Sequence, residues 1–200
     1  MGHSNTESPI DRAPVQDRDL LQRLSLYFDA IDHRLEQGQG WFIFNASQPR
    51  AHRISGFIHH RTSEHNPPLR TYFVPWRDFA LSAFVNEIGL AQIEQEAEQA
   101  GNASRLRQEL SLAKSVTDST VGRMLESDLV VLTGIKPRAW HEATFLDRVI
   151  DARYQQRQAT ILLTPDTPGA LEDDFRQVDP SSTFWERLYS RMYETSLVAL

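Results

Sequence analysis

The sequence predicts an α/β protein, a three-layer α/β/α sandwich around a mainly parallel five-stranded sheet. Short apolar runs alternate along the chain with longer segments whose apolar residues recur every three to four positions, as they do in helices. This alternation is typical of parallel βαβ units, whose sheets are covered by helices on both faces. With 200 residues, of which 40% are hydrophobic, the chain is long enough to bury one substantial core.

The elements are predicted in the following order. Residues 1–16 are polar and contain two prolines, so we expect a disordered tail ahead of a single domain over 17–200. Helices are predicted at Asp17–Glu36, Ile54–Thr62, Trp76–Gly89, 90–115 with a break near Gly101, Glu142–Gln156 and Phe184–Tyr193. Strands are predicted at Trp41–Phe44, Thr71–Val74, Leu129–Leu132, Thr160–Leu163 and Leu197–Leu200. We expect a turn over 45–53 and a loop from Thr164 to Pro180.

The composition excludes several classes of function. A net charge of −6 argues against a broadly basic surface for nucleic acid. The absence of cysteine rules out disulfides, thiolate metal sites and cysteine nucleophiles. No apolar run approaches the roughly 20 residues that span a bilayer, and no secretory signal is visible, so a cytoplasmic protein without membrane contact is expected. Neither a converging metal-ligand set nor a G-x-S-x-G nucleophile motif occurs, and no cofactor is expected.

The turn after the first strand lacks the parts of a phosphate cradle. Such a cradle needs glycines for close backbone approach, a lysine and a Ser or Thr for Mg²⁺. No glycine lies between Gly40 and Gly56, and Pro49 has no N–H to donate. Ala51 and His52 occupy the lysine and hydroxyl slots. Arg50 and Arg53 remain as candidates for binding a nucleotide or another anion, or they form an ordinary solvated pair.

The third strand ends without the acidic residues of a nucleotide hydrolase. Thr133 and Gly134 stand where such an enzyme carries a pair of acids that hold Mg²⁺ and activate water. Asp128 begins this strand, so we expect it at the opposite edge of the sheet from the site. Asp166, after the fourth strand, is interpreted as turn chemistry.

The last predicted helix offers Arg187 and Arg191, which are four residues apart on one helical face. One interpretation is an arginine finger, given in trans to the nucleotide of a neighbouring subunit. The alternative is a pair of solvent-facing arginines that partner Glu186 or Glu194.

Together these residues resemble the AAA+ core of bacterial helicase loaders and transposon ATP-binding proteins of the DnaC/IstB type, over residues 17–200. Five segments carry the resemblance. WFIF resembles the family's pre-P-loop strand, TYFVPWRDF its second strand and following helix, and DLVVLTGI its acidic strand. FLDRVIDARYQQRQATILLT resembles the helix with an Arg-Tyr pair and the strand after it, and FWERLYSRMYE resembles the Arg-finger region. The replication initiators have a similar layout. The resemblance implies a P-loop NTPase fold without a full C-terminal lid, with only Arg187 and Arg191 matching functional positions by type.

The leading hypothesis is therefore a pseudo-ATPase, not an enzyme, that acts through protein contacts in DNA replication or transposition. The expected partners are a replicative helicase, a loader, an active AAA+ ATPase or a second copy, with any DNA contact indirect. A second hypothesis is a nucleotide- or nucleic-acid-binding module that uses Arg50, Arg53, Arg61 and Arg70. The third hypothesis is an enzyme with unrelated chemistry on the same sheet. It is ranked last, because no nucleophile or metal site in the sequence supports it.

Overall fold

The computed structural model describes residues 13–88, 103–180 and 183–200, which form one parallel sheet between two layers of helices. The sheet has the order β2-β3-β4-β1-β5, and all paired strands run parallel. Its strands are β1 Gly40–Ile43, β2 Thr71–Pro75, β3 Leu129–Thr133, β4 Ala159–Leu163 and β5 Ser196–Ala199. The predicted fold class, with five parallel strands, is confirmed.

The helices divide between the two faces of the sheet. One face is covered by α1 Val15–Asp29, α2 Ile31–Glu36 and α3 Gln48–Ser63. The other face is covered by α4 Trp76–Ile88, α5 Ala103–Glu126, α6 Trp140–Gln155, α7 Pro168–Val178 and α8 Phe184–Thr195. None of the described helices is both long and apolar enough to cross a membrane.

Two cores form because successive strand residues point to opposite faces. Trp41 of β1 belongs to the core under α1–α3, whereas the next residue, Phe42, belongs to the core under α4–α8. In β3, Val130 and Val131 divide in the same way. Burial on both faces explains why the central strands β1, β3 and β4 are continuous apolar runs rather than alternating ones.

Gly40 is required by the close approach of β1 to its neighbour β4. A Cβ atom at this position would lie 1.8 Å from the backbone oxygen of Thr160. The preceding Gly38 has φ +65°, a left-handed conformation that side chains rarely adopt. The two glycines that end the helical region in the sequence therefore serve the turn and the strand pairing.

A buried arginine, Arg153, joins α6 to the start of β4 and to the end of α5. Its side chain is fully buried and donates to Thr160 Oγ1 at 2.9 Å and to the carbonyl of Ser127 at 3.0 Å. Further bonds reach the carbonyls of Met124 and Ala159. Burial lowers the pKa of Arg153 to about 10. The network satisfies carbonyls at the amino edge of the sheet, away from the carboxyl ends of the strands.

Several predicted boundaries were wrong. Residues 168–178 form a helix rather than part of a loop, because Pro168 can begin a helix and Thr167 Oγ1 accepts a bond from the N–H of Ala170. Helix α3 begins at Gln48, inside the predicted turn, with Pro49 in its first turn. Within the predicted tail, Ala13 is buried and α1 starts at Val15. Predictions for 1–12 and for 89–102 fall outside the described residues.

Candidate functional site

The connection between β1 and α3 is short and closed by its own hydrogen bonds. Only residues 44–47 separate the strand from the helix. The N–H of Asn45 donates to the carbonyl of Asp166 at 3.1 Å, that of Ala46 to Thr164 at 2.8 Å, and that of Ser47 to Asn45 at 3.0 Å. A phosphate cradle presents such N–H groups to its ligand. Here all three are already bonded to protein carbonyls.

Arg50 and Arg53 converge on a buried carboxylate, that of Asp17 on α1. Asp17 has a side chain that is 1% exposed, and Arg50 Nε lies 3.1 Å from its Oδ1 atom. Arg53 Nε donates to its Oδ2 atom at 2.9 Å. Arg50 also donates through Nη1 to the carbonyls of Phe44 at 3.3 Å and Asn45 at 3.1 Å. Both predicted anion-binding residues thus hold α1, α3 and the loop together.

The other arginines of the second hypothesis are paired in the same manner. Arg61 contacts Asp29 of α1. Arg70 contacts Asp128, with Nη2 to Oδ1 at 2.6 Å, at the amino edge of the sheet. The hydrogen bond from Arg70 is the main cause that lowers the pKa of the Asp128 carboxyl. Asp128 therefore lies at the entrance of β3, away from the carboxyl ends of the strands, in agreement with its predicted place.

The two residues that the sequence aligns with the P-loop lysine and the P-loop Ser or Thr, Ala51 and His52, lie inside a helix. In a P-loop these residues stand between the glycine-rich turn and the helix that follows it. Ala51 and His52 are the fourth and fifth residues of α3. The helix starts at Gln48 and Pro49, so neither of the residues at its start is a lysine or a hydroxyl residue.

The end of β3 has a backbone that suits glycine. Thr133 is the last residue of this strand and is half-buried. Gly134 has φ +73°, with open space where a Cβ would be. A glutamate or aspartate would be strained there. The position has no acidic residue, and its backbone conformation also disfavours an acidic side chain.

A lysine and two aspartates hold the loops after β3 and β4 together. Lys136 Nζ lies 3.2 Å from the Oδ1 and Oδ2 atoms of Asp166 and 3.8 Å from Asp174 Oδ2 on α7. Thr164 Oγ1 donates to the carbonyl of Ile135 at 3.0 Å and accepts from the N–H of Asp166 at 3.2 Å. Sequence reasoning missed Lys136 because its partner depends on how the two loops meet.

These loops border a cleft at the carboxyl ends of the strands, with a volume of about 1370 Å³. Its walls come from α3, the end of β2, the start of α4 and the loop after β3. The charged side chains in its lining are Arg53, Arg77, Lys136, Arg138 and Glu142. Across residues 13–88, 103–180 and 183–200, no three His, Asp or Glu side chains converge as metal ligands.

Arg187 and Arg191 both contact Asp147 on α6. Arg187 Nη2 lies 2.6 Å from Oδ2, and Arg191 Nη1 lies 2.9 Å from Oδ1. Arg191 also reaches Asp151 Oδ1 at 2.5 Å. The hydrogen bond to Asp147 is the main cause that raises the pKa of Arg187. Their aspartate partners differ from Glu186 and Glu194, the ones named from the sequence.

Comparison with solved structures finds this fold in proteins of DNA replication. The crystal structure of the DnaC helicase loader is similar with a TM-score of 0.60 and 14% identity, over 97% of this chain and 93% of that one. AMPPCP-bound DnaA from Aquifex aeolicus gives 0.53 and 13%, over 98% of this chain and 50% of that one. A DNA replication initiation factor gives 0.53 and 12%, over 97% of this chain and 49% of that one.

The chain thus spans about half the length of the DnaA structure and of the replication initiation factor structure. The sequence matches no protein-family model and no curated protein. The resemblance to the AAA+ core of helicase loaders is confirmed for the fold.

Proposed function

We propose that this protein is an AAA+-like protein that does not hydrolyse ATP and acts through contacts with other proteins. Its setting would be DNA replication, at the step of helicase loading, or transposition. The observation that carries the proposal is the closed connection between β1 and α3, whose N–H groups bond to the protein's own carbonyls.

Opening this connection to phosphates would break hydrogen bonds that close it. To receive phosphates, the N–H groups of Asn45, Ala46 and Ser47 would have to leave their present acceptors. Arg50 would also have to leave the carbonyls of Phe44 and Asn45. A lost bond costs about 1–3 kcal/mol where a group is left buried and unsatisfied, and Phe44 and Thr164 are both buried. Without a P-loop lysine, and without acids at the end of β3 to hold Mg²⁺, little would offset that cost.

A scaffold kept without this chemistry supports a role in binding. The partners that fit the fold are a replicative helicase, a loader, an active AAA+ ATPase or a second copy of this chain. The DnaC structure is that of a helicase loader. From it we propose for this chain only that it acts in the same process. In one version of the proposal Arg187 or Arg191 serves a partner's nucleotide in trans.

The hydrolysis experiment compares the protein with a loader that has an intact P-loop. We expect no phosphate release from Mg-ATP, and no shift of the melting temperature with Mg-ATP or Mg-ADP, under conditions where the loader shows both. Saturable turnover that disappears on substitution of Asn45 or Arg50 would refute the proposal.

The second experiment addresses the partner. The tagged protein is recovered from its native cells, and proteins that accompany it are identified by mass spectrometry. The proposal expects a helicase, a loader or an AAA+ ATPase to be enriched over a tag-only control. Recovery of the chain alone, at native concentration, would argue against a role through protein contacts.

The nucleic-acid hypothesis is less favoured because Arg50, Arg53, Arg61 and Arg70 each contact an aspartate. Filter binding of a labelled oligonucleotide at low salt tests it. Binding that weakens steeply as salt rises would reinstate this hypothesis, since phosphate contacts release counterions.

A further inference from the structure

We propose that the cleft at the carboxyl ends of the strands binds a segment of a protein partner that carries carboxylates beside apolar side chains. Arg77 and Arg138 would be the residues that receive the carboxylates. This inference rests on the proposed function, because it requires that no nucleotide occupies this edge of the sheet.

The charge of the cleft points to an anionic occupant. Four cationic side chains line it, namely Arg53, Arg77, Lys136 and Arg138, against one acid, Glu142. Glu142 is buried, and its Oε2 atom accepts the N–H of Arg138 at 2.8 Å. This carboxylate therefore holds the backbone of the loop after β3. Apart from Arg53 and Lys136, which are paired with aspartates, the lining keeps two cations, Arg77 and Arg138, that a carboxylate-bearing ligand would balance.

Two of the four cations are available. Arg53 is engaged by Asp17, and Lys136 by Asp166 and Asp174. Arg77 and Arg138 are exposed, and in the part of the chain that the structure describes neither side chain has a carboxylate partner. Both line the cleft, Arg77 from the first turn of α4 and Arg138 from the loop before α6. A guanidinium suits a carboxylate because it can donate two parallel hydrogen bonds.

Most of the remaining lining residues are apolar, beside the polar Gln48, His52, Ser55 and Thr133. The apolar residues include Phe73 and Pro75 of β2, Trp76 of α4, Pro49 of α3, and Ala46 and Pro165 from the loops. Trp76 is nearly buried and stacks on Phe79 with ring centroids 5.0 Å apart, so this part of the wall is held in place. Apolar walls favour an occupant that brings apolar side chains together with its charge.

Size and backbone chemistry favour a peptide over a phosphate compound. The volume of about 1370 Å³ is larger than the roughly 300–1,000 Å³ of most small-molecule sites. The N–H groups of Asn45, Ala46 and Ser47, which would have held phosphates, are bonded to carbonyls. A peptide with Asp or Glu next to Leu or Phe meets both the arginines and the apolar walls.

The test is a selection of displayed random peptides on the whole protein. The selection is repeated on a variant with both Arg77→Gln and Arg138→Gln. The control is Arg157→Gln, which removes one positive charge, as each of the two substitutions does by itself, in the turn before β4, at the opposite edge of the sheet. Melting temperatures of all variants verify that they fold.

We expect peptides with Asp or Glu beside apolar residues to be enriched on the wild type and the control. The best peptide should bind the double variant at least about tenfold more weakly, as the loss of a charged hydrogen bond implies. A version of this peptide with Glu replaced by Gln should bind the wild-type protein as weakly as the original peptide binds the double variant. No enrichment of acidic peptides, or equal affinity for the wild type and the double variant, would overturn the inference.

Competition separates the other occupants. Displacement of the peptide by Mg-ATP, with ATP binding lost in the double variant, would overturn both this inference and the proposed function. Displacement by a single-stranded oligonucleotide would assign the cleft to nucleic acid. Failure of the peptide without ATP binding would overturn this inference alone and leave the proposed function standing.

Discussion

Arg50 Nε lies 3.1 Å from the Oδ1 atom of Asp17, and this contact joins α3 to a carboxylate that is almost fully buried on α1. It stands next to the loop where a nucleotide-binding protein would present its phosphate cradle. Arg53 shares the same carboxylate. The two arginines that the sequence offers to a nucleotide are therefore committed to the packing of the first and third helices.

Replacement of Asp17 by Asn should destabilise the fold. The substitution leaves Arg50, whose side chain is only 14% exposed, without a counter-charge. Removing one partner of a buried ion pair costs about 3 kcal/mol, because the other charge stays buried and unpaired. Urea denaturation, read by circular dichroism, measures the free energy of unfolding.

The control for this change is Asp19→Asn on the same helix. Asp19 has a side chain that is 83% exposed, and its nearest contact with Arg23 is 3.9 Å long. The free energy of unfolding should change by less than about 0.5 kcal/mol. Equal effects of the two substitutions would show that the buried pairing with Asp17 has no special weight.

This pairing also shows where sequence reasoning ends. The central strands β1, β3 and β4 are predictable because each of these apolar runs is buried on both faces of the sheet, and burial of that kind leaves a pattern in the sequence. Asp17 and Arg53 are 36 residues apart. No local pattern records that they meet, since the contact depends on how α1 and α3 pack. The same holds for Lys136 with Asp166 and for Arg187 with Asp147.

Helix α7 was missed for a different reason. The prolines and the glycine in and around it are typical of a loop, yet Pro168 fits the first turn of a helix, where its missing N–H has no helical partner to lose. The signal was Thr167, which caps the helix. A Thr-Pro pair before an apolar Leu171 could have indicated a helix start.

Gly134 and Gly122 should respond in opposite ways to alanine. Gly134 has φ +73°, so Gly134→Ala should cost about 1 kcal/mol of unfolding free energy. Gly122 lies inside α5 with open space around its Cβ position, so Gly122→Ala should gain about 0.5–1 kcal/mol. Urea denaturation of the two variants gives both values. A stabilising Gly134→Ala would contradict the left-handed backbone.

A related variant addresses the chemistry. Gly134→Glu restores an acid at the end of β3, but we expect no ATP hydrolysis, since the β1–α3 connection remains closed. The measurement is phosphate release from Mg-ATP. Turnover in this variant would mean that the lost acid alone had silenced the site.

The pair of Asp128 and Arg70 should make stability depend on pH in the acid range. Its hydrogen bond from Arg70 lowers the pKa of Asp128 below the ordinary value of 3.8. A carboxyl with a lowered pKa in the folded state stabilises the protein above its unfolded pKa, and the contribution is lost as pH falls through the folded pKa. The difference in unfolding free energy between the wild type and Asp128→Asn should have its largest value at neutral pH.

That difference should shrink as the pH falls below about 4. Urea midpoints across the acid range, with Asp19→Asn as the comparison, measure it. A difference that stays constant down to the lowest pH at which the protein folds would exclude the ion pair as its source.

Asp147 controls whether Arg187 is available to a partner. Asp147→Asn removes the charge that holds Arg187, whereas Arg191 keeps its contact with Asp151. The stability cost should be about 1 kcal/mol or less, because Arg187 is 45% exposed.

If Arg187 serves a partner's nucleotide in trans, Asp147→Asn should raise ATP hydrolysis by the AAA+ ATPase recovered with this chain. Arg187→Ala should abolish the stimulation, and Asp151→Asn, which leaves Arg187 paired, should change it little. Stimulation that survives Arg187→Ala and Arg191→Ala together would end the trans role for this helix.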